Sequence, residues 1–177
     1  QARYSPENIG HFGLAATYYT HFTSPIRRYP DLEMHRIIKE FLNGGIDETR
    51  ANKLLPIVTE VSKQASEMER VAVDAERELD ALKKAEYMAN HLGEEFEGII
   101  SSVTNFGLFV ELPNTIEGLV HITSLYDDYY VYDERYMKLA GEHSGKVFSL
   151  GEKIDVVVSN VNLDSREIFF EIKNDGE

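Results

Sequence analysis

The sequence contains no cysteine. That excludes a cystine framework, a thiolate metal site and a cysteine nucleophile. Long hydrophobic runs are missing too. No stretch approaches the roughly 20 apolar residues of a membrane span, and no basic, apolar leader marks an export signal. These absences predict a chain with no membrane partner and, most simply, a cytoplasmic location. Basic residues are the other shortage, with 18 Lys plus Arg against 31 Asp plus Glu and a formal net charge of −13. Such an excess of acid favours solubility and argues against indiscriminate binding to polyanions. At 177 residues the chain can hold one large domain or two modest ones. A core adequate without disulfides or structural metals follows, since a chain of this size buries roughly 70% of its unfolded surface.

The acid is unevenly spread. Residues 1–93 hold 14 acids and 12 bases, whereas residues 94–177 hold 17 acids and 6 bases. The halves are electrostatically different objects, which predicts domains over 1–93 and 94–177. The chain opens at Gln1 without an initiator methionine, and Tyr4-Ser5-Pro6 reads like the middle of a protein. From Gly10 to Arg28 there is little helical period. Aromatic and hydroxyl residues mix instead, and Pro25 and Pro30 bracket Ile26-Arg27-Arg28-Tyr29, predicting a looped segment that delivers an arginine pair.

Asp31 suits a helix start, followed by Met34, Ile37, Ile38 and Phe41 at helical spacing and by Gly44-Gly45 as a stop. A short helix is expected around 47–54. A long one is expected over 56–91, with Pro56 in its first turn and a stripe of Val61, Ala65, Met68, Ala72, Ala75, Leu79 and Leu82. That stripe fits either a coiled coil or a single helix lying on a larger body.

After Gly93 the period changes to that of strands. Phe96–Val103, Phe106–Leu112, Glu117–Ile122, Lys153–Val161 and Glu167–Ile172 are β-branched, apolar runs separated by turn residues. The predicted class is α+β: a mainly helical segment followed by a five-stranded OB-fold barrel, with a tyrosine-rich insertion over 123–150.

Three segments make the second half specific: Glu97-Gly98-Ile99-Ile100-Ser101-Ser102-Val103, Phe106-Gly107-Leu108-Phe109-Val110 and Glu117-Gly118-Leu119-Val120-His121-Ile122. Over about 94–173 the chain resembles the S-one RNA-binding domain. The resemblance implies that Phe106, Phe109 and His121 face RNA, with Asp164 and Arg166 as polar partners in the last turn. An exposed ring can stack on an unpaired base. The alternative is that both rings are core residues. Spacing alone does not decide between the two, because a separation of three puts Phe106 and Phe109 on opposite faces of a regular strand; a bulge at Gly107 would bring them together.

The first half is more specific still. His11-Phe12-Gly13-Leu14 and Tyr19-Thr20-His21-Phe22-Thr23-Ser24-Pro25-Ile26-Arg27-Arg28-Tyr29-Pro30-Asp31 resemble the C-terminal signature of the ribonuclease II/ribonuclease R family. Asp74-Ala75-Glu76-Arg77-Glu78-Leu79 and a following S-one domain occur in that order in the family. Asp127-Asp128-Tyr129-Tyr130 is similar to its bacterial ribonuclease R branch. The resemblance implies a fragment of a magnesium-dependent 3′-to-5′ exoribonuclease that hydrolyses RNA to nucleoside monophosphates, in which metal-bound water attacks the phosphodiester. Arg27 matches its catalytic arginine, whose planar fork suits phosphate oxygens. Arg28, Thr23 and Ser24 are expected beside the RNA backbone. Glu76 reads either as a residue near bound RNA or as an ordinary exposed helix acid.

The family's metal-binding aspartates lie N-terminal to the arginine signature, and this chain is expected to begin after them. Magnesium is therefore expected in the intact enzyme and not in this chain, and the missing N-terminal part is an expected partner beside single-stranded RNA. Without that part, residues 1–30 are expected to expose apolar surface and to risk self-association. Asp31, Glu33, Asp74 and Glu76 read as helix-surface acids, and His11 and His21 as core or loop histidines. A non-catalytic single-stranded RNA-binding module and an acidic protein-interaction domain are the competing readings. For an RNA binder the acidity of 94–177 is awkward, since phosphate binding leaves a basic footprint. Either the acid lies on the back and insertion, leaving a neutral aromatic face, or the barrel only guides RNA.

Overall fold

A computed structural model describes residues 3–173. The chain divides into two compact units, Gln1–Glu76 and Arg77–Glu177. The division falls inside the longest helix.

The first unit opens with an irregular segment carrying a 3₁₀ turn, Phe12–Leu14, capped by His11 Nδ1, which accepts the Leu14 N–H at 3.1 Å. Helix α1 spans Tyr29–Gly44 and α2 spans Glu48–Ala89. Both start earlier than the sequence predicts. Pro30 sits within the first turn of α1, where its missing N–H has no intrahelical acceptor to disappoint. Asp47 caps α2 by accepting the Arg50 N–H at 2.7 Å, and the helix runs unbroken to Ala89, so the expected short helix and the long one are a single element. Pro56 therefore lies inside a helix and not in a first turn, a position that removes one backbone hydrogen bond. His35 of α1 stacks on Phe22 at 4.1 Å, and the Tyr4 N–H donates to the Ser66 hydroxyl of α2 at 3.0 Å, tying the irregular segment into the unit. Exposed apolar residues are frequent here, Phe12, Leu14, Tyr18 and Ile26 among them.

In the second unit, strands β1 (Glu95–Thr104), β2 (Gly107–Glu111) and β3 (Glu117–His121) are followed by β4 (Tyr130–Asp133), β5 (Lys138–Gly141) and β6 (Val147–Ser149), then β7 (Lys153–Asn162) and β8 (Glu167–Ile172). Five of them close a barrel in the order β1-β2-β3-β8-β7, the OB-type arrangement expected from the sequence. The insertion is not a loop. It folds as a separate antiparallel sheet, β4-β5-β6.

Alternation decides the barrel's interior. Ile100, Leu108, Val110, Val120, Val156, Val158 and Phe170 point inward and are essentially inaccessible. Phe170 fills the space left by Gly118, where a Cβ would stand 2.5 Å from the ring. The last turns of α2 join the same core through Ala85 and Met88, and the insertion contributes Leu139 and Phe148.

Asp128 holds the insertion together. Its carboxylate accepts the His143 N–H (2.9 Å), the Ser144 N–H (2.6 Å) and the Ser144 hydroxyl (2.7 Å), and also meets His143 Nδ1 (2.9 Å). The Ser144 hydroxyl and N–H bonds outweigh burial and push the Asp128 carboxyl well below the ordinary range. Gly141 leaves room for this clasp, since a Cβ there would lie 2.5 Å from Asp128 Oδ2.

Candidate nucleic-acid interface

The two arginines of the first unit have opposite environments. A turn closed by the Ser24 carbonyl, which accepts the Arg27 N–H at 3.2 Å and the Arg28 N–H at 3.0 Å, fixes both backbones. Arg28 folds back, and its Nε and Nη2 donate to Asp31 Oδ2 at 3.2 and 2.8 Å. The same oxygen accepts the Ser24 N–H at 2.8 Å. Arg27 is exposed, and among the described residues its guanidinium has no hydrogen bond or ion pair.

Asp31 is wholly inaccessible, which corrects its reading as a helix-surface acid. Burial opposes its ionisation, but the Ser24 N–H and the Arg28 guanidinium outweigh it and hold the carboxyl below the ordinary range. Its second oxygen, Oδ1, is buried without a hydrogen-bond partner among the described residues. Ser24 thus acts here through its backbone. Thr23 is exposed beside it, and Glu76 is an exposed acid on α2.

On the barrel, Phe106 and Phe109 meet edge to face, with centroids 5.9 Å apart and planes at 89°. The device that joins them is not a bulge at Gly107, because the β2–β3 register runs unbroken from Gly107↔His121 to Glu111↔Glu117. Phe106 instead lies just before β2, where its carbonyl accepts the Ile122 N–H at 2.9 Å. Gly107, at φ +154°, lets the chain pass so close to β3 that a Cβ would stand 2.2 Å from the Val120 carbonyl oxygen. The interruption of register lies in β1, between Ile100 and Ser102.

His121 Nδ1 accepts the Thr123 N–H at 3.3 Å and lies 2.7 Å from the Thr123 hydroxyl. With Nδ1 so engaged, Nε2 is the ring's other hydrogen-bonding atom. Sequence reasoning missed two further members of this face. Phe109 pairs with Leu119, and Leu119 with Phe169, so a row of half-buried apolar side chains crosses three strands. The signal was the Phe169-Phe170 pair, one ring outward and one inward.

The surroundings of the row are acidic. Glu111 and Glu117 face each other across β2 and β3, and Glu167 and Glu171 flank Phe169 on β8, all four exposed. The aromatic face is therefore not a neutral patch on an acidic body. Arg166, at φ +60°, turns toward the end of α2, pairs with Glu78 at 3.1 Å and lines a cleft with Arg77, Lys84 and Glu117. Asp164 is exposed in the same turn, its N–H bonded to Asn162 Oδ1 at 3.0 Å. Neither residue contacts the Phe106–Phe109 pair in the bonds and ring contacts of the described residues.

Among the described residues no group of three or more His, Asp or Glu side chains is placed to hold a metal ion. Nor is any helix long and apolar enough to cross a membrane.

Comparison with known proteins joins the two halves. The RNB domain family model matches residues 1–44, and the S1 RNA binding domain (the S-one family of the sequence resemblance) matches residues 91–173. A single alignment to ribonuclease R 1 of Lactococcus lactis runs through both, 54% identical over 97% of this chain. The chain belongs to the ribonuclease R family. Ribonuclease R of Thermotoga maritima is 48% identical over the whole chain. The chain spans 21% and 25% of the lengths of these two relatives. Among solved structures, the apo form of Mycoplasma genitalium RNase R superposes with a TM-score of 0.86 at 27% identity, covering 98% of this chain and 27% of that one. The same enzyme in complex with ribose methylated single-stranded RNA also gives 0.86, at 28% identity and the same coverage.

Proposed function

We propose that this chain is the part of a 3′-to-5′ exoribonuclease that presents an arginine to the RNA backbone and guides single-stranded RNA over an S1 barrel. The alignment through both halves carries this reading, and the local geometry supports it. Arg27 is left unpaired while its neighbour is consumed by Asp31, so one planar fork is held ready for phosphate oxygens. Arg28 and Asp31 position that turn. Magnesium, which the resemblance implies for the enzyme as a whole, finds no matching donor set among the described residues. No step of hydrolysis is assigned to this chain beyond holding RNA.

The barrel's part is stacking. Phe106, Phe109, Leu119 and Phe169 offer rings and apolar surface without a phosphate-binding charge among them. Phe109→Ala is expected to weaken binding of a fluorescein-labelled oligouridylate by about 5- to 150-fold, the equivalent of roughly 1–3 kcal/mol for one stacked base. Anisotropy titration reads the change. Because the lost contact is uncharged, the slope of log affinity against log salt stays as in the parent chain. Unchanged affinity in the variant would remove the aromatic row from the RNA path.

A further inference from the structure

The barrel half contains six basic residues: Arg135, Lys138, Lys146, Lys153, Arg166 and Lys173. Four are held by acids: Lys146 by Asp127, Lys153 by Glu97, Arg166 by Glu78 and Lys173 by Glu95. Arg135 and Lys138 are in no ion pair among the described residues, although acids outnumber bases heavily in this half. Both instead sit over the ring of one tyrosine. Arg135 Cζ lies 5.6 Å and Lys138 Nζ 5.1 Å from the centroid of Tyr136, which is 64% exposed.

These residues occupy the tip of the β4–β5 hairpin. The tip is a built turn, since Asp133 Oδ1 accepts the Arg135 N–H at 3.0 Å and the Tyr136 N–H at 3.2 Å. The Asp133 carboxylate is thereby engaged with backbone, and Glu134 is the one other acid at the tip. The tip as a whole is near neutral in a strongly negative domain.

We propose that the β4–β5 tip is a second contact for single-stranded RNA, with Arg135 and Lys138 taking backbone phosphates and Tyr136 offering its ring to a base. The proposal rests on the reading of the barrel as an RNA guide, and it supplies what the aromatic row lacks. Four glutamates surround that row and repel phosphate; cations without acidic partners are available at the tip. An exposed aromatic ring beside cations is the combination that sequence-tolerant single-strand binding uses.

The test compares Arg135→Gln/Lys138→Gln, Tyr136→Ala and Phe109→Ala in the whole chain, by anisotropy with the same oligouridylate over a range of salt. Circular dichroism and melting temperature establish that each variant is folded; Arg135 and Tyr136 are exposed and Lys138 is half-buried, so near-parent values are expected. Binding by the double variant should fall roughly tenfold at low salt. Its salt slope should fall by about 1.4, two contacts at roughly 0.7 each on a single strand. Cross-linking of RNA carrying 4-thiouridine should map to the peptide containing Tyr136. Parent-like affinity and slope in the double variant, with Phe109→Ala still weakened, would overturn the tip site and leave the barrel reading intact. Loss of the Phe109 effect with the tip effect retained would do the reverse. Absence of RNA binding by the parent chain would overturn both, and would turn attention to the tip as a surface for acidic protein.

Discussion

Arg27 and Arg28 are neighbours in sequence, yet their consequences on removal should differ sharply. Arg27 has no hydrogen-bond or ion-pair partner among the described residues, so Arg27→Ala is expected to leave stability within about 0.5 kcal/mol, as for an ordinary surface position. Arg28→Ala strands the inaccessible Asp31 carboxylate with a single backbone N–H. The expected cost is about 3 kcal/mol, since breaking a buried pair leaves a charge uncompensated. Urea unfolding followed by far-ultraviolet circular dichroism checks both, and equal losses would contradict the division of roles. The sequence carried the arginine pair but not the division. Asp31 looked like a helix N-terminal acid, and nothing in its spacing showed that Ser24 and Arg28 would close over it. Phe106 and Phe109 posed a similar problem. Their separation of three gives no shared face on a regular strand, and the family motif placed them where periodicity did not. Leu119 and Phe169 became visible only with the register, because each is an unremarkable apolar residue in a run that alternates inward and outward.

At the level of elements, the five barrel strands were legible because strict alternation in half-buried strands leaves a period-2 trace. The closing order, in which β3 runs parallel to β8, is a long-range pairing that no local pattern encodes. The two helices of the first unit were legible in kind and displaced at their starts. Each error came from a proline read as a boundary, at Pro30 and Pro56, where the structure carries the helix across it. The insertion was the largest omission. Its strands are only three or four residues long, and the residue that organises them, Asp128, binds partners 15 and 16 positions away.

That clasp gives the element a pH signature. The folded Asp128 carboxyl is held below the range of an unfolded aspartate, so the unfolded chain binds the extra proton. The clasp's contribution is complete above about pH 4, the unfolded value, and drains away as pH falls toward the lower folded value. The melting temperature of the parent chain should therefore exceed that of Asp128→Asn by a constant margin between pH 5 and 7, and the two should converge as the pH drops to 2. A margin that persists unchanged at pH 2 would show that the Asp128 charge is not what holds the insertion.

For the molecule as a whole, the charge map and the contact map answer different questions. A net charge of −13 argues against a polyanion-coating protein, and most of that excess lies in the half that matches an RNA-binding domain. The structure sharpens the tension, because glutamates border the aromatic row itself. The account that reconciles them combines stacking on the barrel, a free arginine in the RNB segment and two unpaired cations on the insertion, each a local exception within an acidic chain. It assigns RNA holding to these residues, and it assigns no metal-dependent cleavage to them.

The measurement that tests this most directly mixes the chain with 5′-labelled single-stranded RNA, with and without magnesium, and resolves both complexes and products on gels. The account predicts a shifted band and RNA of undiminished length in both conditions. Magnesium-dependent shortening of the RNA would contradict it, as would the absence of any shifted band.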